Sequence, residues 1–252
     1  MRAGRVTLRI CHLYPRELNI YADRGNIAVF RARATWRGIP VEVSVVGMGE
    51  AIDPGAHDLF YLGGGQDRDQ AVVAEDLAGE KGRALRSAAD DGAVVLAVCG
   101  GYQLAGHGYT GVDGTRLGGV GLLDADTVAG PDRLIGDLSI NANLNGELHT
   151  LVGYENHAGR TELGPGARAL GTVIAGAGND GATGQEGAVR DRVIGTYLHG
   201  PLLPKNPWLA DLLISWALER ATGTAPELQP LADHHEARAH EIASQRAGRR
   251  SG

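Results

Sequence analysis

Residues Ala93 to His107 read AVVLAVCGGYQLAGH, and this stretch decides the fold. Ala93 to Val98 is an unbroken apolar run, the pattern of a strand buried on both faces. Cys99 follows at once, then Gly100 and Gly101, then Tyr102-Gln103-Leu104-Ala105, which can open a helix. Strand, glycine-flanked turn and helix push the side chain at the turn out over the carboxyl edge of the sheet. The next backbone N–H can then stabilise an oxyanion. A cysteine there sits at a helix N-terminus, a setting that lowers a thiol pKa. The same residues also suit a small apolar core cysteine, so the surrounding chain has to decide.

On its N-terminal side, Val6–Leu13 reads as a first strand. Asp23 can cap a helix that carries Ile27, Phe30 and Ala34 at helical spacing and ends at Gly38. Strands follow at Val41–Val46 and His57–Leu62, the latter running into Gly63-Gly64-Gly65-Gln66-Asp67-Arg68. Gln70–Asp91 predicts one long helix before the Cys99 strand. This β-α-β-β-α-β-α order means a parallel sheet wrapped by helices. Ligands of such sheets sit at the carboxyl ends of strands, where both the triple glycine and Cys99 fall.

Beyond Thr115 the pattern becomes short alternating segments split by Gly, Asn and Asp turns: 134–142, 147–154, 168–174, 187–190 and 193–198. These read as antiparallel strands. The loop AGAGNDGATGQEG, 175–187, has no lysine or helix start after it and is read as a flexible hairpin tip rather than a phosphate cradle. Pro207–Arg220 is an amphipathic helix with proline in its first turn. Residues 5–222 form the expected domain. The polar stretch 223–252, with His234, His235 and His240, is expected to be a flexible tail rather than a metal site.

Composition removes several function classes. A net charge of -6 and 5% aromatic residues argue against a nucleic-acid binder. No apolar run approaches the ~18 residues of a membrane span. Two cysteines in 252 residues make no disulfide framework, which suits a reducing cytoplasm. A thiol nucleophile needs a base. His199, after the strand Val193–Leu198 and before Gly200-Pro201, is best placed, and His157 in Gly153-Tyr-Glu-Asn-His is its rival.

At this point the residues resemble a family. Cys99-Gly-Gly-Tyr-Gln-Leu is similar to the nucleophile elbow of class I glutamine amidotransferases, and Gly195-Thr-Tyr-Leu-His-Gly200 resembles the histidine strand of their cobyric acid synthase-like branch. Gly153-Tyr-Glu-Asn-His157 resembles a second signature of that branch. Asn19–Asn26, Phe60–Arg68 and Tyr154–Thr161 resemble the glutaminase subunits of lipid II isoglutaminyl synthases. The resemblance runs over five separated motifs from Leu8 to Arg220.

It implies an α/β, flavodoxin-like three-layer sandwich with a mostly parallel central sheet and an antiparallel extension. It makes Cys99 the nucleophile on the glutamine amide, His199 its base and then acid, and the N–H groups of Gly64 and Gly100 the oxyanion hole. Arg133 matches the arginine that binds glutamine, a role suited to a bidentate pair with a carboxylate. His157 would line the pocket. Class I enzymes usually carry a glutamate two residues after the histidine, but Pro201 stands there. The third acid would then be Glu155, Asp23 or a carboxylate of a partner. The chain carries no P-loop, so the resemblance places ATP and Mg on a Mur-ligase-like partner of the MurT kind, in a heterodimer, with no cofactor or metal in this chain. That partner would amidate the D-glutamate of lipid II with the ammonia released. A cobyrinate- or cobyric acid-type amidotransferase, which normally follows a fused ATP-binding domain, and a non-catalytic docking protein are the alternatives.

Overall fold

The computed structural model describes residues 6–249. Its first half alternates strands and helices: β1 (Leu8–Leu13), α1 (Arg24–Trp36), β2 (Val41–Val46), β3 (Leu59–Leu62), α2 (Asp67–Leu77), α3 (Glu80–Asp90), β4 (Val94–Val98) and the short α4 (Gly100–Ala105). The second half is mostly β: β5 (Gly108–Thr110), β6 (Arg116–Gly118), β7 (Ala125–Leu144), β8 (Glu147–Leu163), β9 (Gly171–Ala175), β10 (Gln185–Glu186), β11 (Ala188–Arg190) and β12 (Val193–Thr196), followed by α5 (Pro207–Thr222) and α6 (His234–Arg249).

The main sheet runs β11-β12-β4-β3-β1-β2, and only the β11–β12 pair is antiparallel. β3 and β4 are buried at every residue, as strands covered by layers on both faces must be. A second sheet, β10-β9-β7-β5-β6, carries β8 on β7 and is antiparallel apart from β5–β7. The expected α/β architecture is therefore the observed one, with the antiparallel part as a sheet of its own.

Three sequence expectations need correction. The helix expected over Gln70–Asp91 is two, because Gly79 adopts φ 85°, ψ -126°, a conformation side-chain-bearing residues avoid. The segments 134–142 and 147–154 are parts of one long hairpin, β7–β8, closed by Asn145-Gly146 at φ 54° and 79°. The stretch expected as a flexible tail contains α6. It has one buried residue, Ala247, and is held by polar contacts: His240 Nδ1 to Lys205 O at 2.8 Å and Asp233 on the buried Arg33 at 2.7 Å. Arg33 also pairs with Asp211 of α5 at 2.6 Å. The segment is mostly polar and its apolar positions are largely alanine, so it offers little apolar area to announce a packed helix in the sequence.

Candidate active site

Cys99 joins β4 to α4 with its backbone at φ 53°, ψ -110°, a strained conformation that costs about 1–3 kcal/mol and persists only where neighbours enforce it. Here its N–H donates to Thr196 O at 2.8 Å, and the Gly101 N–H donates to Gly63 O at 3.0 Å. The loop after β3 can approach because the elbow has no side chains there. A Cβ on Gly101 would sit 2.8 Å from both Gly63 O and Leu62 Cβ, and one on Gly100 would overlap Gln70 Nε2.

The resting thiol is not the activated one that a helix N-terminus suggests. Burial pushes Cys99 up to about 12, with the Asp23 carboxylate adding to it, while the Gly100 N–H and Arg133 pull the other way. α4 has only six residues, and Cys99 is 6% exposed, so desolvation outweighs the dipole.

Cys99 opens on a pocket of about 450 Å³ whose lining includes Tyr21, Gly65, Asp67, Gln103, Tyr109, Arg133, Asn156 and His157. Arg133 reaches it because the β7–β8 register breaks between Ala129 and Leu134, and such a bulge re-aims the side chains around it. Asn156 of β8 fixes the guanidinium, taking Nε–H on its side-chain oxygen and Nη2–H on its carbonyl, both at 2.8 Å. The Asn156 amide in turn donates to the hydroxyl of Tyr21. Neither Asn156 nor Tyr21 stands out to sequence reasoning, although both lie inside motifs that carry the resemblance.

His199 lies just beyond β12, which pairs in parallel with β4 through Thr196 and Val98. The two residues therefore leave adjacent strand ends. His199 is fully buried, pairs through its backbone with Tyr154, and does not line the pocket that Cys99 lines. The Tyr21 ring packs edge-on against it, 4.5 Å between centroids. Neither ring nitrogen has a partner among the described residues. Burial, then His157, Arg133 and Lys205, push it down to about 4. It is thus a neutral base at physiological pH.

Neither carboxylate considered as its orienting acid is bonded to it. Glu155 accepts the N–H groups of Ala177 and Gly178 at 2.7 and 2.9 Å, which pins the glycine-rich loop expected to be a flexible tip. Its other neighbour is His157, whose Nε2 lies 3.7 Å away and whose ring stacks on Tyr197 at 3.5 Å. Asp23 makes no cap bond to α1; it accepts the Gly64 N–H at 2.7 Å. Burial raises Asp23 to about 7. The same bond corrects the expected oxyanion hole: Gly100 N–H faces the sulfur, but Gly64 N–H is committed to Asp23. Among the described residues, no group of three or more His, Cys, Asp or Glu could hold a metal ion.

The site is thus a strained cysteine elbow on a parallel sheet, beside an arginine held at its pocket by Asn156. The profile of the CobB/CobQ-like glutamine amidotransferase domain matches residues 9–207. The chain belongs to this family. Among its curated relatives, the GatD subunit of the glutamine-hydrolysing lipid II isoglutaminyl synthase from Staphylococcus aureus (strain N315) is 40% identical over 96% of this chain and 97% of its own. The GatD subunit from Streptococcus pneumoniae (strain ATCC BAA-255 / R6) is 37% identical over 90% and 86%. Cobyric acid synthase from Rhodobacter capsulatus is 37% identical over 58% of this chain but only 31% of its own length. In fold, this CobB/CobQ-like chain is similar to PurLQS from Thermotoga maritima, with a TM-score of 0.57 at 15% identity, covering 86% of this chain and 99% of the other. A glutamine amidotransferase from the same organism gives 0.55 at 14% identity over 94% of each chain. Among the described residues, no helix is long and apolar enough to cross a membrane.

Proposed function

We propose that this CobB/CobQ-like amidotransferase is the glutaminase subunit of a lipid II isoglutaminyl synthase. The near end-to-end similarity to two GatD subunits carries the reading, since the cobyric acid synthase matches only a portion of either chain. The Cys99 pocket supplies chemistry that fits. Arg133 binds the α-carboxylate of glutamine, and Cys99 Sγ attacks the side-chain amide carbon as His199 takes the thiol proton. Gly100 N–H steadies the oxyanion. His199 returns the proton to the departing ammonia and then activates the water that cleaves the thioester to glutamate. His157 forms part of the pocket wall.

Ammonia passes to a Mur-ligase-like partner of the MurT kind. With ATP and Mg, the partner activates the α-carboxyl of D-glutamate in lipid II, and amidation gives D-isoglutamine. The setting is the cytoplasmic arm of peptidoglycan synthesis, in a heterodimer. A protonated thiol and a histidine without an orienting acid suit a subunit completed by docking: a partner carboxylate fills the place that Glu155 and Asp23 leave open, and the Tyr21 ring gives way.

The test uses the chain co-purified with its partner. Cys99→Ser is expected to abolish glutamine-dependent amidation and to spare ammonia-dependent amidation. Loss of both would refute the division of labour. The thiol and histidine of the resting site also suit a non-catalytic docking protein. That reading predicts no labelling of Cys99 by a glutamine-analogue electrophile even in the complex.

A further inference from the structure

Glutamine is a zwitterion, and a pocket that holds it by one charge alone leaves the other to be desolvated without compensation. Arg133 answers the carboxylate. The Cys99 pocket has a single carboxylate of its own, Asp67, the first residue of α2, and no other Asp or Glu lines it. The Asp67 side chain forms no hydrogen bond or ion pair with any described residue. Across the pocket, Arg133 spends Nε and Nη2 on Asn156 and keeps Nη1 unengaged. Both charges reach the same two groups: on Cys99 and on Tyr109, Asp67 acts upward and Arg133 downward. Two charges of opposite sign, both on exposed residues and both open to a ligand, therefore face one cavity, with the thiol and the Tyr109 ring within range of both. Arg68 also lines the cavity, but Arg133 is the cation that acts on both the thiol and Tyr109.

We propose that Asp67 binds the α-ammonium group of L-glutamine. The pocket is then selective for a free zwitterionic amino acid: Arg133 and Asp67 take the two charges of the head, and the side-chain amide is left to reach Cys99. This assignment rests on the glutaminase reading and gives a role to the Gln66-Asp67-Arg68 end of the triple-glycine loop. A purely structural carboxylate at the first turn of α2 would instead favour the helix dipole and touch no substrate.

The two roles separate with a substrate that lacks the ammonium. In the complex with the partner, ammonia release is measured from L-glutamine and from glutaramic acid, which keeps the carboxylate and the amide. Asp67→Asn is expected to lower kcat/KM for glutamine roughly tenfold, chiefly through KM, because a charge-assisted bond at a half-open site is lost. Glutaramic acid should change by less than about twofold, and Asp67→Glu should recover part of the glutamine loss. Where glutaramic acid turns over too slowly, protection of Cys99 from iodoacetamide gives the same comparison. There Asp67→Asn should weaken protection by L-glutamate and not by glutarate. Equal losses on both molecules of a pair, or no loss on either, would overturn the proposal. If the unmutated complex released no ammonia from glutamine, the glutaminase reading itself would fail, and that result is distinct from either.

Discussion

Iodoacetamide should alkylate Cys99 slowly in the isolated subunit, and the site's electrostatics set the scale. Raising the thiol from its ordinary 9.0 to about 12 lowers the thiolate population at pH 8 about a thousandfold, or about 4 kcal/mol. A more basic thiolate is also more nucleophilic, and a Brønsted slope of about 0.4–0.5 returns about 20-fold of that loss. The net expectation is a rate about 50-fold below that of a small free thiol of ordinary pKa. The rate should climb close to tenfold per pH unit from about pH 7 to 10, without a plateau near neutrality. His199 is neutral and makes no hydrogen bond with its ring, so no imidazolium holds a resting thiolate. His199→Ala should therefore leave alkylation within about twofold while removing turnover. The assay is mass spectrometry of the Cys99 peptide against time and pH, with the fully buried Cys11 as an internal control. A plateau between about pH 5 and 8, or a large loss of labelling in His199→Ala, would show a thiolate–imidazolium pair and refute the reasoning.

Asp23 gives a pH test with a definite sign. Its folded pKa is raised from 3.8 to about 7, so its contribution is fully present below 3.8 and is lost as pH rises through about 7. Asp23→Asn should therefore gain stability relative to the unmutated chain between pH 5 and 8, by a few kcal/mol at most, and should speed Cys99 alkylation; an equal difference at both pH values would count against it. Gly101→Ala forces a Cβ to within 2.8 Å of the β3 loop, so it should cost about 1–3 kcal/mol in thermal unfolding and disable glutamine hydrolysis. Asn156→Ala removes one of the two bonds that hold the Arg133 guanidinium, leaving the one to the backbone carbonyl, and should raise KM for glutamine about three- to tenfold in steady-state assays. Arg33→Ala strands Asp233 and leaves Asp211 to Arg37 alone, so it should cost about 1–2 kcal/mol and expose α6 to limited proteolysis.

Much of this protein is legible in the order of its residues. The apolar run ending in Cys99-Gly-Gly determines a doubly covered strand and an elbow, because only small residues allow that turn to meet the neighbouring loop. The Gly63–Gly65 loop and the strand before His199 fall at carboxyl edges by the same β-α logic, and five motifs in order point to the family. What the sequence does not carry is how charge and burial are shared once the chain closes. The stretch around α6 is mostly polar and is anchored through Asp233 and His240, so its composition reads as a tail. Asp23 sits in a helix-capping position, yet its carboxylate takes the Gly64 N–H from a loop 41 residues away in sequence. Cys99 looks activated by a helix that proves too short to offset its burial. Desolvation and long-range hydrogen bonds are properties of the closed structure: the residues name the groups of this site, and tertiary packing decides that they rest as a neutral thiol, a neutral histidine and an arginine held ready by Asn156.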